Sequence, residues 1–314
     1  MSEHEPVLLG EVLEGLNLKK NSIVVDLTLG RAGHSSEILK RIPNGHLYAF
    51  DQDIAAIESS KATLEQIGTN FTLIHANFVN LKDNLEYLKV DKVDAMLLDL
   101  GVSSPQFDQA GRGFSYRYDA VLDMRMDQDH NHLTAEIVIN TYSIQELSRI
   151  FREYAENKFA GRIAYNIVKT REVKPIRTTF ELVDIIKKSL PAKELAKKGH
   201  PAKTIFQALR IVVNNELEVL EKCLVQALDL LSVNGRIAVI SFHSLEDRIV
   251  KIIFKNITTD NSGRRGPLRH PSEELGPSFQ LVNRKIIIAS EEENIRNPRA
   301  TSAKLRIIER KRGS

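Results

Sequence analysis

Residues able to do chemistry stand at the ends of four apolar runs in this chain: Asp26 in VVDLTLGRAGHS, with Gly30, Ala32, Gly33 and His34 behind it; Asp51 in LYAFDQD; Asp99 in LLDLGVSSPQ; and His243 in ISFHSLEDR. Gly30 and Gly33 allow a tight turn and leave space for a ligand that Cβ atoms would obstruct. Asp51 ends the second run about 20 residues beyond Gly30, where a carboxylate accepts both hydroxyls of an adenosine ribose. By itself the Gly-x-x-Gly spacing serves a structural turn equally well, and it is Asp51 that points to an adenosine derivative. A dinucleotide site would need Gly-x-Gly-x-x-Gly, but Thr28 or Leu29 stands where its first glycine belongs, and no Gly-Lys-Ser/Thr phosphate loop occurs. Asp26 would repel a polyphosphate and suits a cationic ligand with an amino-acid end. S-adenosylmethionine, with its sulfonium and its ammonium, has that character.

For these residues to meet, the apolar runs must be neighbouring strands. Val-, Ile- and Leu-rich runs at Ile23–Leu27, His46–Phe50, Phe71–His75, Ala95–Leu98 and Arg236–Ser241 predict strands, and helical patterns separate the first four. That is the cadence of a parallel α/β sheet, whose carboxyl edge binds ligands. Between the fourth and fifth runs no strand pattern appears. Capping boxes at Ser143 with Glu146 and Thr178 with Glu181, and the amphipathic KTIFQALRIVVNNELEVL, predict helices instead. The expected fold is α/β, a Rossmann-like sheet with an inserted helical domain: 1–108 and 216–314 form the sheet domain and 109–215 the insert. Glycines and prolines from Gly263 to Pro277 predict a mobile loop, and Lys285–Ala289 and Lys304–Ile308 two further strands.

The net charge of +3 conceals a division, because Arg149–Arg210 carries 15 Lys or Arg against 6 Asp or Glu, which leaves the rest of the chain acidic. Such a segment is either a lysine-rich solvated surface or a face for a polyanion. At 314 residues and 42% hydrophobic content the chain can bury a globular core. No apolar run of about 18 residues is present, and acids open the chain where a secretory signal would be basic. A cytoplasmic protein without membrane association is expected. Cys223, the one cysteine, shares a helical face with Leu220, Leu224 and Ala227 and is expected in the core, unable to form an internal disulfide.

VLLGEVLEGL, DLTLGRAGHS, LLDLGVSSPQFDQAGRGFSYRYDAVLDMRM, HPAKTIFQALRIVVNNEL, ISFHSLEDRIVK and NPRATSAKLRIIER together resemble the bacterial 16S ribosomal RNA cytosine-N4 methyltransferase family over nearly the whole chain. DLGVSSPQ and SFHSLEDRIVK are far more specific than the glycine loop. The resemblance implies an S-adenosylmethionine-dependent methyltransferase sheet, an RNA-recognising insert, and as substrate a cytidine of the decoding centre in 16S rRNA, met within a small-subunit particle. It leaves monomer and homodimer open. It further implies cofactor contacts from Ala32, Gly33 and His34 in the first loop, Asp51 at the ribose, Phe78 near the adenine, and Asp99 and Gln106 after the fourth run. The spacing agrees for Gly33 and Asp51; Phe78 offers a stacking face or fills the core.

Cytosine N4 is a poor nucleophile because its lone pair is delocalised into the ring, so an acceptor for one of its N–H groups and in-line positioning are what an enzyme must add. Asp99, or carbonyl and hydroxyl groups from Ser103 to Pro105, stand where that acceptor is needed. Related amino-methyltransferases place an acidic or polar residue before two prolines and an aromatic; SSPQF keeps one proline and shifts the aromatic to Phe107. His243 is suited to take the amine's proton, or else shapes the pocket as a structural turn. Asp127, Asp129, His130 and His132 form a solvated connector rather than a metal site, since they share no helical face and methyl transfer needs no metal. A small-molecule methyltransferase would share the crevice without use for the basic insert or the RIIERKRGS tail. A non-catalytic RNA-binding assembly factor would keep those charges without needing Asp51.

Overall fold

Strands buried on both faces read as continuous apolar runs, and the runs of this chain pair accordingly. The computed structural model describes residues 5–101, 110–259 and 278–311. Strands β1 (Ile23–Asp26), β2 (His46–Asp51), β3 (Phe71–His75), β4 (Val93–Asp99), β5 (Leu231–Ser241), β6 (Phe279–Leu281) and β7 (Lys304–Arg310) form one sheet in the order β3-β2-β1-β4-β5-β7-β6. The first five run parallel, while β7 is antiparallel to β5 and β6 to β7. The strand order reverses at β1, which lies between β2 and β4, so a crevice opens beyond the carboxyl ends of β1, β2 and β4. Asp26, Asp51 and Asp99 are the last residues of those three strands.

Two apolar layers clamp the sheet. On one face Leu47, Ala49, Leu97 and Ile240 pack with Val12, Leu16 and Ile38; on the other Val25, Phe50, Met96 and Val239 pack with Leu85, Leu220, Leu224 and Phe254. Cys223 is fully buried in the second layer, as its helical face predicts, and burial pushes its thiol upward. The Rossmann-like sheet expected from the sequence is the one observed, with one correction at its edge. Lys285–Ala289 is not a strand and makes only an isolated bridge, Ile287 to Leu305, while β6 forms earlier, at Phe279–Leu281. Asn283 explains the break: its side chain donates to the carbonyl of Leu305 and accepts the N–H of Ile307, taking ladder groups of β7 that a continued strand would need.

The chain divides into two compact units, residues 1–101 with 219–314 and residues 102–218. The first boundary precedes the one expected by several residues, and the second falls inside helix Glu216–Leu230, whose buried residues begin at Leu220. The second unit is helical. Both predicted capping boxes close, Ser143 with Glu146 and Thr178 with Glu181, starting helices Ile144–Glu153 and Thr179–Ser189. These pack with Ala160–Arg171 and Lys203–Asn214 around Leu147, Phe151, Ile163, Leu182 and Leu209. The long amphipathic run breaks in two at Asn215, which has φ +50°. Asp127 accepts the N–H groups of Asp129 and His130 and lies 3.1 Å from His130 Nδ1, which makes that stretch a self-contained turn. Among the described residues no helix is long and apolar enough to cross a membrane. The predicted loop at Gly263–Pro277 lies outside the described residues.

Candidate active site

The glycine loop is fixed from both sides before any ligand arrives. Gly30 has φ +52°, its N–H donates to Asp51 Oδ2 at 2.9 Å, and its carbonyl accepts from Ser60 Oγ at 2.9 Å. Ala32 also lies in the left-handed region, at φ +58°, and ends the loop as the first residue before helix Gly33–Arg41. The space left by Gly33 is not ligand space, contrary to the expectation: a Cβ there would meet Cγ of Pro6 at 2.6 Å. The absent side chain lets the N-terminal segment lie against the loop.

Asp51 accepts one backbone N–H at each oxygen, from Gly30 and from Asp53, both at 2.9 Å. The second lone pair on each oxygen remains for a diol. Phe78, in the 3₁₀ turn Phe78–Asn80 directly after β3, is partly buried against the core layer that contains Phe50 and Met96. Gln106 and the whole of Ser103–Phe107 lie outside the described residues.

Asp26 is a buried support at the end of β1. It is 1% exposed, with Oδ1 accepting from the Thr28 N–H at 3.0 Å and the Thr28 hydroxyl at 3.4 Å, and Oδ2 from the Ser35 hydroxyl at 2.6 Å. Thr28 Oγ1 in turn accepts the backbone N–H of Asp99 at 2.7 Å. Asp26 therefore holds Asp99 through Thr28.

Asp99 is the open group. Its Oδ2 lies 3.5 Å from Nδ1 of the buried His34, and its Oδ1 is buried with no hydrogen-bond partner among the described residues. Its side chain remains 26% exposed, so with Oδ1 closed off the carboxylate meets the crevice on its Oδ2 side.

Of the two roles expected for His243, proton acceptor or structural turn, its contacts are those of a turn. Its Nδ1 accepts the backbone N–H of Glu246 at 3.4 Å, capping helix Ser244–Thr258, while its Nε2 is 2.9 Å from Glu246 Oε1. Glu246 completes the box by accepting from the N–H groups of Phe242 and His243. A neutral imidazole has one acceptor nitrogen, and here it serves the helix cap. The residues that sequence reasoning missed are Thr28, Ser35 and Val7, which hold Asp26, Asp99 and His34 in place; the first two stand in the DLT and GHS steps of the opening motif.

Three carboxylates at adjoining strand ends make the crevice costly to leave empty. Burial pushes Asp51 and Asp99 up to about 6 and raises Asp26 against the hydrogen bonds from Ser35 and Thr28. A carboxyl whose pKa is higher in the folded chain than in the unfolded chain favours folding while protonated, and that contribution is lost as pH rises through about 6. A ligand bearing positive charge restores it only above that pH. Affinity for S-adenosylmethionine therefore falls as pH drops through about 6, and the rise in melting temperature at saturation is larger at about pH 7.5 than at about pH 5.5. Calorimetry giving one Kd across that range would separate these carboxylates from the ligand. The same groups fit this cofactor: a diol acceptor at Asp51, an apolar ring at Phe78 and negative field at Asp26 and Asp99.

A family model described as the MraW methylase family matches residues 1–311. A curated relative from Spiroplasma kunkelii, "Ribosomal RNA small subunit methyltransferase H", is 52% identical over 309 residues, covering 98% of both chains. A relative of the same name from Exiguobacterium sibiricum is 51% identical over 314 residues, covering 100% of both. Among solved structures, an rRNA methylase from Streptococcus thermophilus is similar at 14% identity and a TM-score of 0.42, covering 97% of this chain and 92% of that one.

Proposed function

Because the chain belongs to the MraW methylase family, we propose that it transfers a methyl group from S-adenosylmethionine to the exocyclic N4 amine of a cytidine in the decoding centre of 16S rRNA. The observation that carries this is the full-length match to small-subunit ribosomal RNA methyltransferases at about half identity. Neither a small-molecule methyltransferase nor a non-catalytic assembly factor is favoured. The setting is the cytoplasm, and the substrate is the RNA within a small-subunit particle.

When bound, S-adenosylmethionine supplies a methyl group already activated by the sulfonium. The chain's own residues do the rest. Asp51 would hold the ribose, Phe78 would cover the adenine and the fixed Gly30–His34 loop would line the cofactor's place. Asp99 accepts a hydrogen bond from the N4 amine, which draws electron density back to the nitrogen and orients it. The target base must leave its stack to reach these groups, because its amine is otherwise held in pairing.

The basic insert supplies phosphate contacts. On helix Ala160–Arg171, Arg162, Tyr165 and Lys169 share an exposed face, with Tyr165 53% exposed between the two cations. Arg171 and Lys174 are engaged elsewhere, with the Ile139 carbonyl at 2.6 Å and Glu181 at 2.7 Å. The experiment is methyl transfer from labelled cofactor to small-subunit particles, with the product nucleoside identified by mass spectrometry, for the native chain and for Arg162→Glu with Lys169→Glu. Native protein should yield N4-methylated cytidine. The double variant should bind particles more weakly, with a log Kd against log salt slope shallower by about 2, and keep its cofactor affinity. An unaltered slope would remove this face from the RNA interface, and transfer only to small metabolites would overturn the function.

A further inference from the structure

A carbonyl oxygen decides the tautomer of His34. His34 Nε2 is 3.0 Å from the carbonyl of Val7, which can only accept, so Nε2 carries a proton. A neutral His34 therefore presents a bare Nδ1, and that atom lies 3.5 Å from Asp99 Oδ2. Two acceptors at that distance repel when Asp99 is ionised, whereas an added proton on Nδ1 makes the contact an ion pair. The imidazole is thus poised to receive one proton from the direction of Asp99.

The anchor behind Val7 is built for constancy. Leu8 is fully buried with φ +53°, and its N–H donates to the buried Glu293 Oε1 at 2.7 Å. Asn297 Nδ2 donates to the carbonyl of Glu5 at 3.0 Å, and Pro6 lies against Gly33. The segment Glu5–Leu8 is tied to helix Glu291–Arg296 and its end, which holds the Val7 carbonyl on the imidazole.

Resting on the methyltransferase reading above, we propose that His34 is the final proton acceptor of the reaction, reached through Asp99. Once N4 has formed its bond to the methyl carbon it carries one proton too many. The N4–H bond breaks with its electron pair kept on nitrogen, and an O–H bond forms at Asp99 Oδ2. That bond then breaks as Nδ1–H forms, so Asp99 is again a carboxylate and His34 an imidazolium. The positive charge that entered on the sulfonium ends on His34, beside an anion that stabilises it. His34 acts through Asp99 and is a positioning and relay residue; Asp99 is the catalytic one.

Asp99 is faced by Asp26 from β1 and Glu246 from helix Ser244–Thr258, both raising its pKa, and by His34, which lowers it. The test uses His34→Gln, whose amide can still donate to Val7 but cannot take a proton. In the protein alone, the Asp99 carboxyl followed by carbon-13 NMR should titrate near 6 in the native chain and at higher pH in the variant, because Nδ1 is no longer there to take the proton in place of the carboxylate. On small-subunit particles the single-turnover rate should fall roughly 100-fold, with its acid limb moved to higher pH alongside Asp99. His34→Asn repeats both measurements if the glutamine variant does not fold. An unmoved carboxyl titration, or a native acid limb at native rate, overturns the relay. Native protein that leaves particles unmethylated overturns the methyltransferase reading instead, and the carboxyl titration still decides whether the two side chains are coupled.

Discussion

Asp51→Ala weakens S-adenosylmethionine binding by roughly 10- to 150-fold, the equivalent of about 1.5–3 kcal/mol for a lost charge-assisted hydrogen-bonding partner. The carboxylate does two jobs at once. Its oxygens already hold the N–H groups of Gly30 and Asp53 at 2.9 Å, so a ribose diol bound there would meet acceptors whose direction is set before binding. Alanine removes the acceptors and also releases Gly30, whose φ of +52° is then held on the other side by Ser60 alone. Asp51→Asn keeps one acceptor oxygen and falls between the two. Calorimetry at about pH 7.5, where the native carboxyl is ionised, gives the comparison directly. An alanine variant with native Kd would take Asp51 out of the ribose site.

What the sequence made legible follows from how local the determining contacts are. Asp51 and the glycine loop sit in one βαβ unit, where strand ends and loop spacing are set by neighbours, so their position at the carboxyl ends of β2 and β1 is legible in the sequence. The helical insert was legible because its capping boxes span three residues. The burial of Asp26 is not legible from its charge alone, although the partners that make it a buried support, Thr28 and Ser35, are two and nine residues away. His243 is a parallel case: Glu246 at the third helical position marks the cap, with histidine in place of the usual serine or threonine. Lys285–Ala289 has the composition of a strand, but an edge strand needs free ladder groups, and Asn283 had taken them. The links that aim His34 were beyond any sequence pattern, since Val7 meets it across 27 positions and Glu293 meets Leu8 across 285.

Asp99→Ala should lower the single-turnover methylation rate on small-subunit particles by about 10²- to 10⁴-fold, the range associated with a positioned acid-base group. Two roles predict different companions to that loss. If Asp99 chiefly holds the amino-acid end of the cofactor, Kd for S-adenosylmethionine rises in step with the rate loss, and saturating cofactor recovers much of the rate. If it accepts the amine's proton, Kd moves little and saturation recovers nothing. The exposed side of the carboxylate at Oδ2 and its approach to His34 at 3.5 Å favour the second outcome. Asp99→Asn sharpens the comparison, because an amide oxygen still accepts a hydrogen bond but cannot pass a proton to Nδ1. A slow Asn variant with native cofactor affinity therefore assigns proton transfer, and a fast one limits Asp99 to orienting the amine. Stability should move the other way. Burial holds Asp99 up to about 6, so at about pH 7.5 the ionised group opposes folding, and its removal should leave the melting temperature of the bare protein unchanged or higher. An Asp99→Ala chain that is inactive and also strongly destabilised would mean that the carboxylate is kept for structure, and that the proton leaves N4 by another route.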